Sequence, residues 1–205
     1  MEDINRITES SRQSEIQSSN NRINLAVLGT KLVGKTALIY RFLNDNIPST
    51  RETTVEDQYK KVLNINDIQC ELNILDTAGK EEYQTMLESW IEFSSCFLLV
   101  YSIDNKDSLK QVKIYYEKIA QKKGKQFFSV LIVGNKCDLD NNRQIRKEEA
   151  EIYGNSIGVE VLETSALNNI NVNEAFLKVV QIYIDKNQGG ENNSKKVGCP
   201  CFWND

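Results

Sequence analysis

The chain has 205 residues, of which 40% are hydrophobic and 26% are charged, and its formal net charge of −4 comes from interspersed acidic and basic residues. This length fits one domain with short tails, and the charge pattern argues against a nucleic-acid-binding protein. The sequence has no histidine, which excludes Ser-His-Asp and Cys-His catalysis, and its five cysteines form no zinc or disulfide framework, so we expect a reducing cytosol.

The first 21 residues are rich in Ser, Asn, Gln and charged side chains. We expect this segment to stay disordered, because it cannot bury enough apolar area to offset the entropy of ordering. The apolar run at 23–28 ends at Gly29 and predicts a buried strand. Apolar residues at helical spacing then predict a helix over 35–43.

The middle and the end of the chain alternate between strand and helix patterns. Residues 58–64 and 68–75 flank Asn66-Asp67 and predict a hairpin. The remaining predicted strands cover residues 96–101, 127–133 and 159–163, and the remaining predicted helices cover residues 108–121, 147–156 and 172–184. This alternation predicts an α/β fold with a mostly parallel sheet.

The segment after the first predicted strand matches the phosphate-loop pattern G-x-x-x-x-G-K-[ST], and a predicted helix follows it. Its backbone N–H groups and the helix N-terminus attract a phosphate. Lys35 would reach the β- and γ-phosphates, and Thr36 would ligate Mg²⁺. The expected nucleotide contacts here are Gly29, Thr30, Lys31, Leu32, Val33, Gly34, Lys35, Thr36 and Ala37.

Two later segments are candidates for recognising a base. Asn135-Lys136-Cys137-Asp138 follows a predicted buried strand, and the Asp138 carboxylate can accept both the N1–H and the exocyclic amine of guanine, a donor pair that adenine lacks. Glu163-Thr164-Ser165-Ala166 follows the last predicted strand, and its Ala166 N–H could meet the guanine O6. Each tetrapeptide taken alone is also compatible with an ordinary turn.

Together with Asp76-Thr77-Ala78-Gly79, these motifs closely resemble the Ras family of small GTPases over about residues 23–184. The resemblance implies a P-loop NTPase domain over 22–186, with a six-stranded, mostly parallel sheet and five helices, and a flexible tail over 187–205. It also implies a signalling switch that is on with GTP and off with GDP. Its partners would be exchange factors, GTPase-activating proteins and effectors, the last through residues 51–59, which look like a Ras/Rap effector loop.

The resemblance also implies roles for particular residues. Thr54 and Asp76 would join Thr36 around Mg²⁺, and the Gly79 N–H would meet the γ-phosphate. The alternatives are a solvated loop threonine for Thr54 and a helix cap for Asp76. The implied catalytic set is Lys35, Thr54, Gly79 and Lys80, and the implied base contacts are Asn135, Lys136, Asp138, Ser165, Ala166 and Leu167.

Four positions depart from the family pattern. Lys80 replaces the glutamine that orients the attacking water, and an ammonium has no acceptor for that task. Lys31 replaces a glycine of Ras itself and would crowd the γ-phosphate, so we expect slow hydrolysis. Ile47 replaces an aromatic residue that stacks on guanine, which favours weaker binding and faster exchange, and Leu167 replaces a frequent lysine.

These departures leave alternatives open. Lys80 and Lys31 could be simply solvated, or the chain could be a constitutively GTP-bound scaffold that does not hydrolyse GTP. An ATP-using P-loop kinase is a third class, against which Asp138 argues.

The tail has no regular prenylation end, because four residues follow Cys201 where a C-a-a-X signal needs three. Acylation or irregular prenylation of Cys199 and Cys201 would place the protein at the inner leaflet of the plasma membrane. The alternative is an unmodified tail on a cytoplasmic protein.

Overall fold

The computed structural model describes residues 22–47, 56–79 and 84–188. The segment predicted to be disordered, 1–21, and the tail from 189 onward lie outside this part of the chain. The strands are β1 (Arg22–Leu28), β2 (Glu56–Ile65), β3 (Ile68–Thr77), β4 (Cys96–Ser102), β5 (Ser129–Asn135) and β6 (Val161–Glu163). The helices are α1 (Lys35–Asn44), α2 (Gln84–Phe93), α3 (Lys106–Lys123), a 3₁₀ helix (Cys137–Asn142), α4 (Lys147–Ile157) and α5 (Val172–Gln188).

The six strands form one sheet in the order β2-β3-β1-β4-β5-β6. Only the β2–β3 pair is antiparallel, and the other four pairs are parallel. This topology confirms the predicted α/β class and its six-stranded, mostly parallel sheet, and the described residues also contain the five expected α-helices. No helix among the described residues has the length and apolar character that crossing a bilayer demands.

The hairpin between β2 and β3 turns at Asn66 and Asp67, as predicted. Their φ angles are +50° and +63°, and a two-residue turn with both central residues at positive φ is the type that suits a hairpin. Asn and Asp tolerate this region better than most residues. The hairpin therefore follows directly from the sequence at its tip.

Two apolar layers cover the two faces of the sheet. On one face α1 and α5 pack together, and the rings of Phe42 and Phe176 stack with centroids 4.2 Å apart. On the other face α2, α3 and α4 cover the sheet through residues such as Trp90, Val112 and Ala150. Strands β4 and β5 are buried along their whole length, as their continuous apolar runs predict.

Three details differ from the sequence predictions. Strand β5 covers 129–135 rather than 127–133, because the Phe127 ring stacks on Tyr183 of α5 with centroids 5.7 Å apart. Strand β6 begins two residues later than predicted, at Val161. Helix α2 is not among the elements predicted from the sequence, although its buried residues Leu87, Trp90 and Ile91 have helical spacing.

The parallel topology determines where the motifs meet. The phosphate loop follows β1, Asp76 lies near the end of β3, and the two candidate base segments follow β5 and β6. The carboxyl ends of parallel strands share one edge of the sheet, where ligands bind in open α/β folds. Residues that are far apart in sequence are therefore brought to one edge.

Tyr101 in β4 carries a hydroxyl that is buried without a hydrogen-bond partner among the described residues. Burial also raises the pKa of this phenol. A buried polar group without a partner costs about 1–3 kcal/mol. We therefore expect Tyr101→Phe to raise the free energy of unfolding in urea by about 1 kcal/mol.

The matched control is Tyr116→Phe, which removes a hydroxyl that donates to the Ile157 carbonyl at 3.4 Å. This control should not gain stability. A loss of stability in Tyr101→Phe would contradict the assignment, because it would mean that the hydroxyl is bonded in the folded protein.

Candidate functional site

The phosphate loop is held in a shape that its two glycines permit. Gly34 has φ +95°, and a Cβ built on it would lie 2.3 Å from Nδ2 of Asn135. A Cβ on Gly29 would lie 2.3 Å from the carbonyl oxygen of Val100. A side chain is therefore excluded at Gly34 by backbone strain and by the close approach of Asn135, and at Gly29 by the close approach of Val100. The loop leads directly into α1, whose first-turn amides carry the partial positive charge of a helix N-terminus.

The Lys35 ammonium lies inside this loop. It donates to the carbonyls of Gly29 at 3.0 Å and Thr30 at 3.1 Å, and the residue is only 7% exposed. Burial lowers the pKa of Lys35 to about 8, and the nearby Asp76 carboxylate opposes that shift. A phosphate group at the loop would oppose it in the same way, so this lysine is placed to be stabilised by an anionic ligand.

A hydroxyl and a carboxylate lie side by side next to the loop. Thr36 donates through Oγ1 to Oδ2 of Asp76 at 2.6 Å, although the two residues are 40 positions apart in sequence. Oxygen ligands of this kind suit Mg²⁺, which binds proteins through one or two such groups plus substrate phosphates. The described residues contain no cluster of three or more metal-ligating side chains. A magnesium ion held by Thr36 and Asp76 would therefore need further ligands, from a nucleotide, from water or from Thr54, which lies outside the described residues.

Gly79 lies against the phosphate loop. A Cβ on this residue would be 2.4 Å from the amide nitrogen of Lys31 and 2.5 Å from the carbonyl carbon of Thr30. The segment after β3 and the loop after β1 are thus in backbone contact. The Gly79 backbone therefore lies beside the phosphate loop, and its contact with a γ-phosphate stays a prediction.

Asn135 joins three segments of the site. Its Nδ2 donates to the Val33 carbonyl at 2.8 Å, and its Oδ1 accepts from the Thr164 hydroxyl at 3.2 Å and from the Ala166 N–H at 3.3 Å. The side chain is buried. The structure shows that the Asn135 amide connects the two loops on either side of it, and its contact with a nucleotide stays a prediction.

The Ser165 hydroxyl donates to Oδ1 of Asp138, so the two candidate base segments are directly bonded. Lys136 has φ +65°, and its ammonium lies 3.5 Å from Oδ2 of Asp104. Asp138 is partly exposed, whereas Ser165 and Ala166 are buried. The partly exposed carboxylate next to buried partners is a suitable acceptor for a purine edge.

The structure also locates the residues that depart from the family pattern. Lys31 is exposed on the phosphate loop, and Leu32 beside it is 79% exposed with φ +65°. Ile47 is partly buried, and Leu167 is 63% exposed. Thr54 and Lys80 lie outside the described residues, and so do residues 51–55, Cys199 and Cys201.

Two contacts near the site are missed by the sequence analysis. Trp90 of α2 donates through Nε1 to Oε2 of Glu56, the first residue of β2, at 2.7 Å. Arg41 of α1 bonds to the loop that follows β6. The sequence contains a signal for each contact. Arg41 is a basic residue in the last turn of a helix, where such side chains bond to carbonyls, and Trp90 lies at the helical spacing of α2.

Comparison with known proteins connects this chain with one family. The model of the Ras family matches residues 24–185. "Ras-like protein 1" of Saccharomyces cerevisiae is 37% identical over 178 residues, which cover 87% of this chain and 57% of that protein. The chain therefore spans a little over half the length of this relative.

The Trp90–Glu56 hydrogen bond links α2 to the strand that begins after residues 51–55. We expect a double-mutant cycle with Trp90→Phe and Glu56→Gln to give a coupling energy of about 1 kcal/mol in urea unfolding, within the range for directly bonded residues. The indole N–H is the group that couples to the carboxylate.

The control cycle pairs Trp90→Phe with Glu88→Gln, since Glu88 is on the same helix but pairs with Lys122. Its coupling energy should be close to zero. Equal coupling in the two cycles would mean that the Trp90–Glu56 bond contributes nothing specific.

Proposed function

Because this chain belongs to the Ras family, we propose that it is a signalling switch that binds GTP and GDP with Mg²⁺ and hydrolyses GTP slowly. The observation that carries this proposal is the convergence on Asn135 of the phosphate loop and both base segments. Such an arrangement presents phosphate-binding and base-binding groups at one edge of the sheet at a fixed separation. A mononucleotide has both a phosphate and a base, so it is the ligand that would contact both sets of groups.

The phosphate end would be held by this chain's own groups in three ways. The α1 N-terminus and the loop amides attract the negative charge, and the Lys35 ammonium is already positioned beneath them by Gly29 and Thr30. Thr36 and Asp76 would hold Mg²⁺, which neutralises charge between the β- and γ-phosphates when bound. Thr54 would complete this set in the GTP state.

The base end would be read by Asp138 and by the backbone of Ala166. The Asp138 carboxylate would accept from the N1–H and the exocyclic amine of guanine, and the Ser165 hydroxyl orients it. Ile47 and Leu167 would contribute packing without an aromatic face. This supports guanine specificity, with exchange faster than an aromatic residue at position 47 would give.

Slow hydrolysis is supported by the residues that surround the γ-phosphate position. The Gly79 backbone contacts the loop at Thr30 and Lys31. The Lys31 side chain therefore extends from the part of the loop that Gly79 contacts. An attacking water needs an acceptor to orient it, and neither Lys31 nor Lys80 has one. The exposed Lys31 also favours the second candidate function, a scaffold that stays bound to GTP without hydrolysing it.

Regulators and effectors would approach along β2 and the residues before it. The start of β2 is exposed at the edge of the sheet, which suits an effector contact through residues 51–59. Exchange factors and GTPase-activating proteins would also act at β2 and the residues before it. Lipid attachment at Cys199 or Cys201 would add contact with the plasma membrane inner leaflet, and an unmodified tail would leave the protein in the cytoplasm.

Guanine specificity is tested with Asp138→Asn. The amide replaces one acceptor oxygen with a donor, so it mismatches guanine and complements the C2 carbonyl of xanthine. We expect weaker binding of GDP and stronger binding of xanthosine diphosphate in competition against a fluorescent nucleotide. If Asp138→Asn binds both nucleotides as the wild type does, Asp138 does not read the base.

Slow hydrolysis is tested with Lys80→Gln alone and combined with Lys31→Gly, in single-turnover assays with radiolabelled GTP. Glutamine restores an acceptor for the water, and glycine clears space at the phosphate, so both variants should hydrolyse GTP faster than the wild type. Their effects need not add, because both positions face one phosphate. A wild-type rate equal to that of the double variant would refute the impairment.

A further inference from the structure

The guanidinium of Arg41 donates to three backbone carbonyls, two of which lie in a distant loop. Its Nε donates to the Ala166 carbonyl at 2.9 Å, and its Nη2 donates to the Leu167 carbonyl at 3.1 Å. Its Nη1 donates to the Asp45 carbonyl at 2.7 Å. The side chain is 16% exposed, the bond to Ala166 is partly buried, and all three bonds are charge-assisted.

Arg41 connects two different parts of the proposed nucleotide site. Arg41 sits in the last turn of α1, the helix that begins at the phosphate loop. Ala166 and Leu167 form the end of the segment that would face the guanine base. The only other described side-chain bond between these elements joins Asn169 Nδ2 to Asp45 Oδ1 at 2.7 Å and is exposed. The carbonyls of Ala166 and Leu167 therefore depend on Arg41 for their connection to α1.

We propose that Arg41 is a positioning residue for the guanine base, which holds the Ala166–Leu167 backbone against α1 and thereby sets the residence time of the nucleotide. The inference rests on the proposed function, because it concerns the same base-binding segment. Arg41 contacts backbone carbonyls and acts through the Ala166 N–H and the Ser165–Asp138 pair. Without it, the Ala166 and Leu167 carbonyls lose their bonds to α1. The base segment then keeps its bonds to Asn135 and Asp138, the short Ser165–Ile170 bridge and the exposed Asn169–Asp45 bond.

Geometry explains why arginine suits this position. The planar guanidinium directs three N–H groups at three carbonyls at once, whereas an ammonium is a point charge that cannot match such a fork. Lysine should therefore restore only part of the effect. A residue that merely capped α1 would need the Asp45 contact alone, and its loss would leave the base segment unchanged.

The experiment measures release of a fluorescent GDP analogue from wild type, Arg41→Ala and Arg41→Lys in the presence of Mg²⁺. Loss of a charge-assisted hydrogen bond corresponds to a factor of about ten or more. We expect GDP release to be about tenfold faster or more for Arg41→Ala and intermediate for Arg41→Lys. Association should change little, because encounter depends on the phosphate loop. Backbone amides of residues 166–168 should exchange hydrogen faster.

The control is Ile119→Val, which trims a fully buried side chain in α3, a helix that carries no residue of the proposed site. It lowers stability without touching the base segment. The inference is overturned if the Arg41 variants release GDP no faster than this control, or if Arg41→Lys behaves as Arg41→Ala. If the wild type itself does not retain GDP, the proposed function fails instead, so the two failures are distinguishable.

Discussion

The site depends on one buried amide, that of Asn135. It lies at the end of β5 and binds the phosphate loop through Val33 and the segment after β6 through Thr164 and Ala166. The residue is 1% exposed, so bulk water has almost no access to those bonds, and an unsatisfied buried amide is costly. The neighbouring Gly34 leaves room for the Asn135 amide only because it has no Cβ. The distance between phosphate-binding and base-binding groups is therefore set by the protein rather than by the ligand.

The topology of the sheet brings these loops close together. Parallel strands β1, β3, β5 and β6 end at one edge, so every loop that leaves them starts within reach of the others. Short direct bonds then fix the loops to each other. Thr36 joins Asp76, Gly79 contacts the phosphate loop, and Arg41 joins α1 to the base segment. A ligand that contacts several of these loops would shift them together if it binds one arrangement more tightly than another, which is the physical requirement of a switch.

The sequence predicts the fold and the segments that meet at the candidate site because these features are local. Glycines and Lys-Thr in a strand–loop–helix context specify the phosphate loop, and Asn66-Asp67 specify the hairpin turn. Long-range pairings are not encoded locally. The Trp90–Glu56 bond joins residues 34 apart in sequence, and Arg41 reaches carbonyls 125 and 126 positions away. The later start of β5 also depends on a long-range contact, because the Phe127 ring stacks on Tyr183 of α5 instead of lying in the sheet.

The central claim is that the two ends of this site bind one guanine nucleotide. The most direct measurement is calorimetric titration of nucleotide-depleted protein with GDP and, separately, with ADP, both in Mg²⁺. A site that pairs polar groups with the guanine edge rejects a base lacking those groups by a factor of about 10⁴ or more. The account therefore predicts one GDP bound per chain and a preference over ADP of that order. Equal affinities for the two nucleotides, or no binding of GDP, would contradict it.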